Sequence, residues 1–438
     1  MSCLEVRYQY NNRLLEMFFK LEEDEGVSRH KINGQHIRMN DQYCMFEMPD
    51  GWRLENTHPD LLALATIFLI YPYAKNEIKL SIGISQGFAD LCEKIIKKKV
   101  TPVNPNLKMR KAAPDAKLAL SYSGGMDSTA ALALVPRDTY LFFVDRKMMP
   151  GKSGLYNKTS VYYAYDALKK AGRTTFKMIT DFEDRLRNPI GFPTDMACTI
   201  PCILLADFYP TNSIATGTIL ESAYRIGHET YLYYPESWHY RVWGGLAQGA
   251  DVPFSFITAG LSEVATSLIV KRAGYEDIAQ SCMRAELHKP CMQCAKCMRK
   301  GMLDDALIYG EVKEETVTHF ISSPIGKKIM TGDHIHHQNV MMYMASHYHG
   351  DNKAMQLFKK RTGADQFNMA CLAKWYSPAI KVIAEPYRDY VTKQIKRYVK
   401  SMNENEQKFI ESWDIKNLVN EDEYNQATNA LKVLLGVR

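Results

Sequence analysis

Residues 117–135 read KLALSYSGGMDSTAALALV, and this stretch decides the fold. LALSY is a short apolar run of the kind that forms a buried strand. Gly124 and Gly125 follow, then STAALALV, which reads as a helix. A strand that hands over to a helix through two glycines is built for an anion. The glycines let the backbone approach closely, and the helix adds its positive N-terminal end. Ser123, Ser128 and Thr129 add hydroxyl donors. Asp127 is out of place beside a bare anion but suits a divalent cation bridging to phosphates, so the loop predicts nucleotide plus magnesium. The Walker pattern GxxxxGK[ST] is absent.

Working outward, TYLFFVD (139–145), TTFKMIT (174–180) and NSIATGT (212–218) read as further strands. Segments 159–171 and 197–208 between them read as helices. Alternation of this kind predicts an α/β fold with a parallel, Rossmann-like sheet and right-handed crossovers. Residues 1–100 mix strand-like stretches (EVRYQY, HIRMN, YCMFEM) with helices near 60–73 and 86–99, an α+β extension. KKK at 97–99 reads as a solvated helix end. Residues 101–116 hold three prolines and few apolar residues, the signature of a linker. The core then spans 117–304, and 305–438 reads as a helical extension. Within it Tyr387, Val391, Ile395, Tyr398 and Met402 form an amphipathic stripe suited to packing.

SCMRAELHKPCMQCAKCMRKG places Cys282, Cys291, Cys294 and Cys297 together. C-x2-C-x2-C presents three thiolates from one tight turn, and Cys282 supplies a fourth. Four soft ligands in a short segment predict a closed tetrahedral Zn2+ site of structural type. An iron–sulfur cluster is the rival reading. Lys289, Lys296, Arg299 and Lys300 are expected to offset the thiolate charge.

Composition limits the alternatives. The 438 residues are 46% hydrophobic and 24% charged, which excludes global disorder. With 55 Lys and Arg against 49 Asp and Glu, the net charge is +6, too small to indicate nucleic acid. The longest apolar run, Leu61–Ala74, is shorter than a membrane span and contains Pro72. The N-terminus lacks a signal-peptide layout, so a cytoplasmic protein is expected, with ten cysteines kept reduced.

SGGMDS matches the SGGxDS signature of the PP-loop ATP pyrophosphatases, and Ile214–Thr218 resembles their second signature, a strand ending in glycine. That resemblance implies that Ser123, Gly124, Gly125, Asp127 and Ser128 hold ATP phosphates and Mg2+, with Asp127, Ser123 and Ser128 catalytic. Gly217 and the backbone around Phe143 would complete the nucleotide site. Together with the cysteine cluster, the chain resembles the 7-cyano-7-deazaguanine synthase (QueC) family over roughly 117–305. Members adenylate 7-carboxy-7-deazaguanine, release pyrophosphate and AMP, and form an amide and then a nitrile. Tyr234-Pro235-Glu236-Ser237 resembles that family's base-binding segment, and Glu263 its Lys-x-Glu segment. Tyr234, Glu236, Glu263 and Arg225 are therefore expected at the substrate. Leu261 stands where the family has lysine, no arginine follows Ile200-Pro201-Cys202, and Glu236 and Ser237 replace Asp and Cys. These changes bear on the later steps. QueC-like proteins with extensions occur in anti-phage defence, which implies a protein amine as acceptor. Homo-oligomerisation stays open.

Other signals are weaker. His334, His336, His337, His347 and His349 read as a solvated, partly packed helix rather than a metal site. Glu221, Tyr224 and Arg225 follow the fourth strand, where open sheets bind ligands. Trp238, His239 and Trp243 suit either base stacking or a core. The KQIKRYVK segment reads as a solvated helix face. An RNA-modifying PP-loop enzyme would need a catalytic cysteine, with Cys198 and Cys202 as candidates. A non-catalytic ATP-binding scaffold is the remaining alternative.

Overall fold

A computed structural model describes residues 2–22, 25–32, 34–149, 151, 157–227, 230–282, 284–418 and 421–437. Its centre is a ten-stranded mixed sheet. The first half supplies β1 (Cys3–Asn11), β2 (Leu14–Lys20), β5 (Tyr43–Glu47), β6 (Glu77–Ser85) and β7 (Lys99–Asn104). β3 (Val27–Ile32) and β4 (Gln35–Arg38) pair separately. The second half supplies β8 (Lys117–Ser121), β9 (Tyr140–Arg146), β10 (Thr175–Thr180), β11 (Thr211–Thr216) and β12 (Phe254–Phe256). The order across the sheet is β12-β11-β8-β9-β10-β5-β2-β1-β6-β7. The five strands of the second half run parallel, as the alternating pattern predicts. The halves meet where β10 pairs antiparallel with β5, Thr180 opposite Phe46.

The central strands β8 and β9 are buried on both faces, so they read as near-continuous apolar runs rather than alternating ones. Leu118, Leu120, Leu141 and Phe143 point into one core, shared with α3 (Met126–Leu134), α4 (Thr159–Lys170) and the helices Glu263–Ala273 and Arg388–Tyr398. Ala119, Phe142 and Val144 point into the other, shared with α1 (Pro59–Ile70) and the short helix Ile200–Leu204. α1 is buried from Asp60 to Ile70, the packing that its uninterrupted apolar sequence demands. Val391 and Ile395, from the expected stripe, are fully buried against the sheet's helical layer. No described helix is long and apolar enough to cross a membrane.

Several boundaries differ from expectation. Residues 101–104 belong to β7 rather than to a linker. Arg110, further along the same stretch, is buried and donates to the carbonyls of Ala206, Thr211, Ala250 and Asp251 and to the Asp207 carboxylate. The helix Ala295–Tyr309 runs straight through the expected boundary at 304. Residues 195–208 form a 3-10 turn and the single helical turn Ile200–Leu204, because Pro201 has no N–H and fits only a first turn. Lys97 and Lys99 are exposed as read, but Lys98 is half-buried and its ammonium donates to the carbonyls of Ala74 and Lys75. It thereby satisfies carbonyls that follow α1.

Candidate functional site

The phosphate-type loop takes shape from its own sequence. β8 ends at Ser121, and buried Tyr122 anchors the turn by accepting, through its carbonyl, the hydroxyl of Tyr165 at 2.9 Å. Gly124 takes φ +72°, a left-handed conformation that glycine tolerates, and lies against Val161. α3 begins at Met126 with Gly125 as its N-cap, so no cap side chain occupies the first-turn N–H groups. Ser123 Oγ and Ser128 Oγ stand 3.1 Å apart at the mouth. Gly217, just past β11, lies hard against this turn: a Cβ there would sit 2.8 Å from the Ser128 nitrogen. Only glycine lets the two segments approach so closely. Asp127 Oδ1 accepts from Thr266 Oγ1 at 2.9 Å, which fixes the carboxylate at the helix start.

The loop opens into a cavity of about 810 Å³ at the carboxyl ends of the parallel strands, where open α/β sheets bind ligands. Ser123, Gly125, Asp127, Ser128, Gly217, Arg225, Tyr234 and Glu263 all line it, so the structure brings these sequence-selected residues together. Gly124, Phe143 and Glu236 are not among the lining residues. The expectation at Phe143 concerned its backbone; its side chain lies in the core 5.8 Å from the Tyr165 ring, because odd-numbered β9 side chains face α3 and α4, and β9 reaches the cavity with the Arg146 side chain. Glu236 is exposed on the turn Tyr234–Glu236, outside the cavity lining.

The opposite wall is cationic. Lys296, Arg299, Lys300 and His337 line the cavity with Arg146 and Arg225. Arg299 Nε and Lys300 Nζ hold the Glu263 carboxylate at 2.7 and 3.0 Å. Burial would raise Glu263, but the charges of Lys300, Arg299 and His337 hold its carboxyl well below the usual range. Leu261 is itself buried, so the cations beside Glu263 come from another element. Glu221 lies behind. Its carboxylate accepts from Asn339 Nδ2 at 2.7 Å and from the Glu263 N–H at 3.3 Å, while burial pushes it up to about 7. Arg299 and Lys300 therefore neutralise Glu263 rather than the thiolates, as the sequence had suggested. Lys296, Arg299 and Lys300 share one face of a helix, a spacing legible in sequence, but nothing local reveals that the face meets a cavity.

That helix, Ala295–Tyr309, starts from the cysteine cluster. The four Sγ atoms lie within 4.8 Å of one another, with Cys291 and Cys297 3.7 Å apart. A tetrahedral zinc with bonds of about 2.3 Å sets its sulfurs about 3.8 Å apart, so the four fit a single ion. Backbone N–H groups of Cys291 and Cys297 donate to Sγ of Cys282 and Cys294 at 3.4 Å each, as thiolate ligands require. Cys294 is also the helix N-cap. Among the described residues no histidine joins a metal-ligand group.

Of the aromatic candidates, Trp243 is core, packed on Phe68 and Tyr71, and Trp238 is 51% exposed outside the cavity lining. His239 lines the cavity. Cys202 is fully buried, and Cys198 reaches the cavity with its thiol raised by burial.

A family model described as a family of unknown function (DUF6395) matches residues 242–414, under half of the chain. The match takes in Glu263, the four cysteines, the cationic helix and His337, and begins after the phosphate-type loop. No curated protein and no solved structure matches the chain.

Proposed function

We propose that this chain is an ATP-dependent ligase that adenylates a 7-carboxy-7-deazaguanine-type carboxylate and transfers it to an amine. The observation that carries the reading is the Ser123–Ser128 loop, with its uncapped helix start pressed against Gly217 and opening into a cationic cavity. First-turn N–H groups and the Ser123 and Ser128 hydroxyls would hold phosphate oxygens. Asp127 would hold Mg2+, which when bound would neutralise charge developing on the departing pyrophosphate. Lys296 and Arg225 line the same cavity and supply further positive charge.

Adenylation is needed because a carboxylate is a poor electrophile. Its oxygen attacks the α-phosphorus and pyrophosphate leaves. An amine then attacks the acyl carbon and AMP leaves, giving an amide. The altered family positions at Leu261 and Ser237 fit an enzyme that stops there, with a protein amine as acceptor in anti-phage defence. Cys198 in the cavity favours a second reading, RNA sulfur chemistry, but burial raises its thiol whereas a nucleophile needs the thiolate.

The test is pyrophosphate release and product mass with ATP, magnesium and 7-carboxy-7-deazaguanine, with and without ammonia, beside Asp127→Ala. Acid-dependent pyrophosphate, lost in the variant, is the expected result. No turnover with the deazaguanine acid would break the substrate assignment. ATP binding without any pyrophosphate release would favour a scaffold.

A further inference from the structure

A second cluster lines the cavity outside the phosphate-type loop. Tyr234 is buried, its ring boxed by Phe256, Tyr240 and Tyr224 at centroid distances of 5.2, 5.6 and 6.0 Å. A phenol so enclosed is fixed in position. Its hydroxyl lies 2.9 Å from Nδ1 of His239. Nε2 of His239 stands 3.9 Å from Oδ2 of Asp195. All three residues line the cavity. His239 is followed at once by a π-helical turn, Tyr240–Gly244. Such turns sacrifice regular hydrogen bonding and recur at functional sites.

We propose that His239, oriented by Tyr234, accepts the proton lost by the acceptor amine as it attacks the activated carboxyl carbon. The inference rests on the adenylation reading above. In the tautomer protonated at Nδ1, the ring donates to the Tyr234 oxygen and Nε2 keeps its lone pair. As the new N–C bond forms, nitrogen acquires positive charge. Its proton passes to Nε2, and the C–O bond to AMP breaks with the electron pair leaving on the phosphate. The carboxylate of Asp195 offsets the imidazolium charge so created. Burial lowers the His239 pKa, against an opposing effect from Asp195. The ring is therefore neutral at pH 7 and able to take a proton. Tyr234 is a positioning residue: it sets the tautomer and the ring plane.

The experiment separates the two half-reactions. ATP–pyrophosphate exchange with 7-carboxy-7-deazaguanine reads adenylation. Rapid-quench amide formation from pre-adenylated substrate and ammonium chloride reads amine transfer. His239→Gln is expected to slow amine transfer about 100-fold more than exchange, the size of a general-base contribution. With rates expressed per free ammonia, the acid limb of the amine-transfer pH profile should vanish with it. Added imidazole should restore part of the rate to His239→Ala. Tyr234→Phe should keep the acid limb but lower its plateau. Equal slowing of both half-reactions, or an unchanged acid limb in His239→Gln, would overturn the assignment. Absence of exchange in the unmodified protein would instead refute the adenylation reading, and this inference with it.

Discussion

Glu221 has no exposed surface, yet it is a carboxylic acid. Burial raises it from 4.5 to about 7, even with Asn339 and the Glu263 N–H donating to it. The sign follows from proton linkage. A carboxyl raised in the folded state binds its proton more tightly there than in the unfolded chain. Its ionisation therefore costs nothing below about pH 4.5, and the full cost is present above about pH 7. The difference corresponds to about 3 kcal/mol. Glu221→Gln keeps an acceptor oxygen but cannot ionise. Relative to the parent, the variant should gain stability as pH rises from 4.5 to 7 and hold that gain above 7. Urea midpoints across this range read the effect, and a constant difference would show that Glu221 titrates normally. Glu263 does not confound the window, because its pairing with Lys300 and Arg299 moves its titration below it. Neither carboxylate's partners were legible in sequence. Arg299 and Asn339 are distant in the chain, and only the packing of four separate helices brings them to Glu263 and Glu221.

At the scale of elements, the cysteine segment and the cationic helix act as one unit. Cys294 starts the helix Ala295–Tyr309, whose first turns carry Lys296, Arg299 and Lys300 to the cavity. A metal that clamps the four sulfurs therefore also fixes the cationic wall. Purified protein should contain one zinc per chain by elemental analysis, the stoichiometry of a closed four-thiolate site. Chelation, or Cys294→Ser, should lower the melting temperature by more than about 5 °C, since bound metal stabilises only the folded state. ATP binding should weaken in parallel. A brown protein containing iron and sulfide would replace zinc with a cluster. The elements themselves were largely readable. β8 and β9 announce themselves as apolar runs, β10 and β11 by alternating with helices, and the cysteine spacing announces a metal. What could not be read was pairing. β7 hid behind prolines that suggest a linker, and a single turn at Ile200–Leu204 passed for a long helix because its apolar residues fill a core from a compact turn.

Across the whole molecule, the N-terminal strands continue the parallel sheet and the C-terminal part is helical. One sheet runs from β12 to β7, and the core that takes in Ala119, Phe142 and Val144 draws on α1 and on Ile200–Leu204 alike. Contacts across the β10–β5 seam are specific. The Met45 N–H donates to Asp181 Oδ1 at 2.8 Å, and Thr194 Oγ1 to the Phe68 carbonyl at 2.7 Å. Trp52 Nε1 donates to the Leu204 carbonyl at 3.2 Å. Removing residues 1–104 would strip the Phe46–Thr180 pair from β10 and leave β10 as an open edge strand. It would also uncover the apolar side of Ile203 and Leu204 that α1 now covers. An open strand edge beside exposed apolar surface is a template for aggregation. The truncated chain is expected to be insoluble or to elute as aggregates in size-exclusion chromatography with light scattering. A monodisperse fragment that still binds ATP would show that the second half folds alone. The consequence for function is direct. β10 supports β9, and β9 ends in Arg146 on the cavity wall. The first hundred residues thus reach the site through the sheet, by holding the strand beside the one that delivers a cation to it.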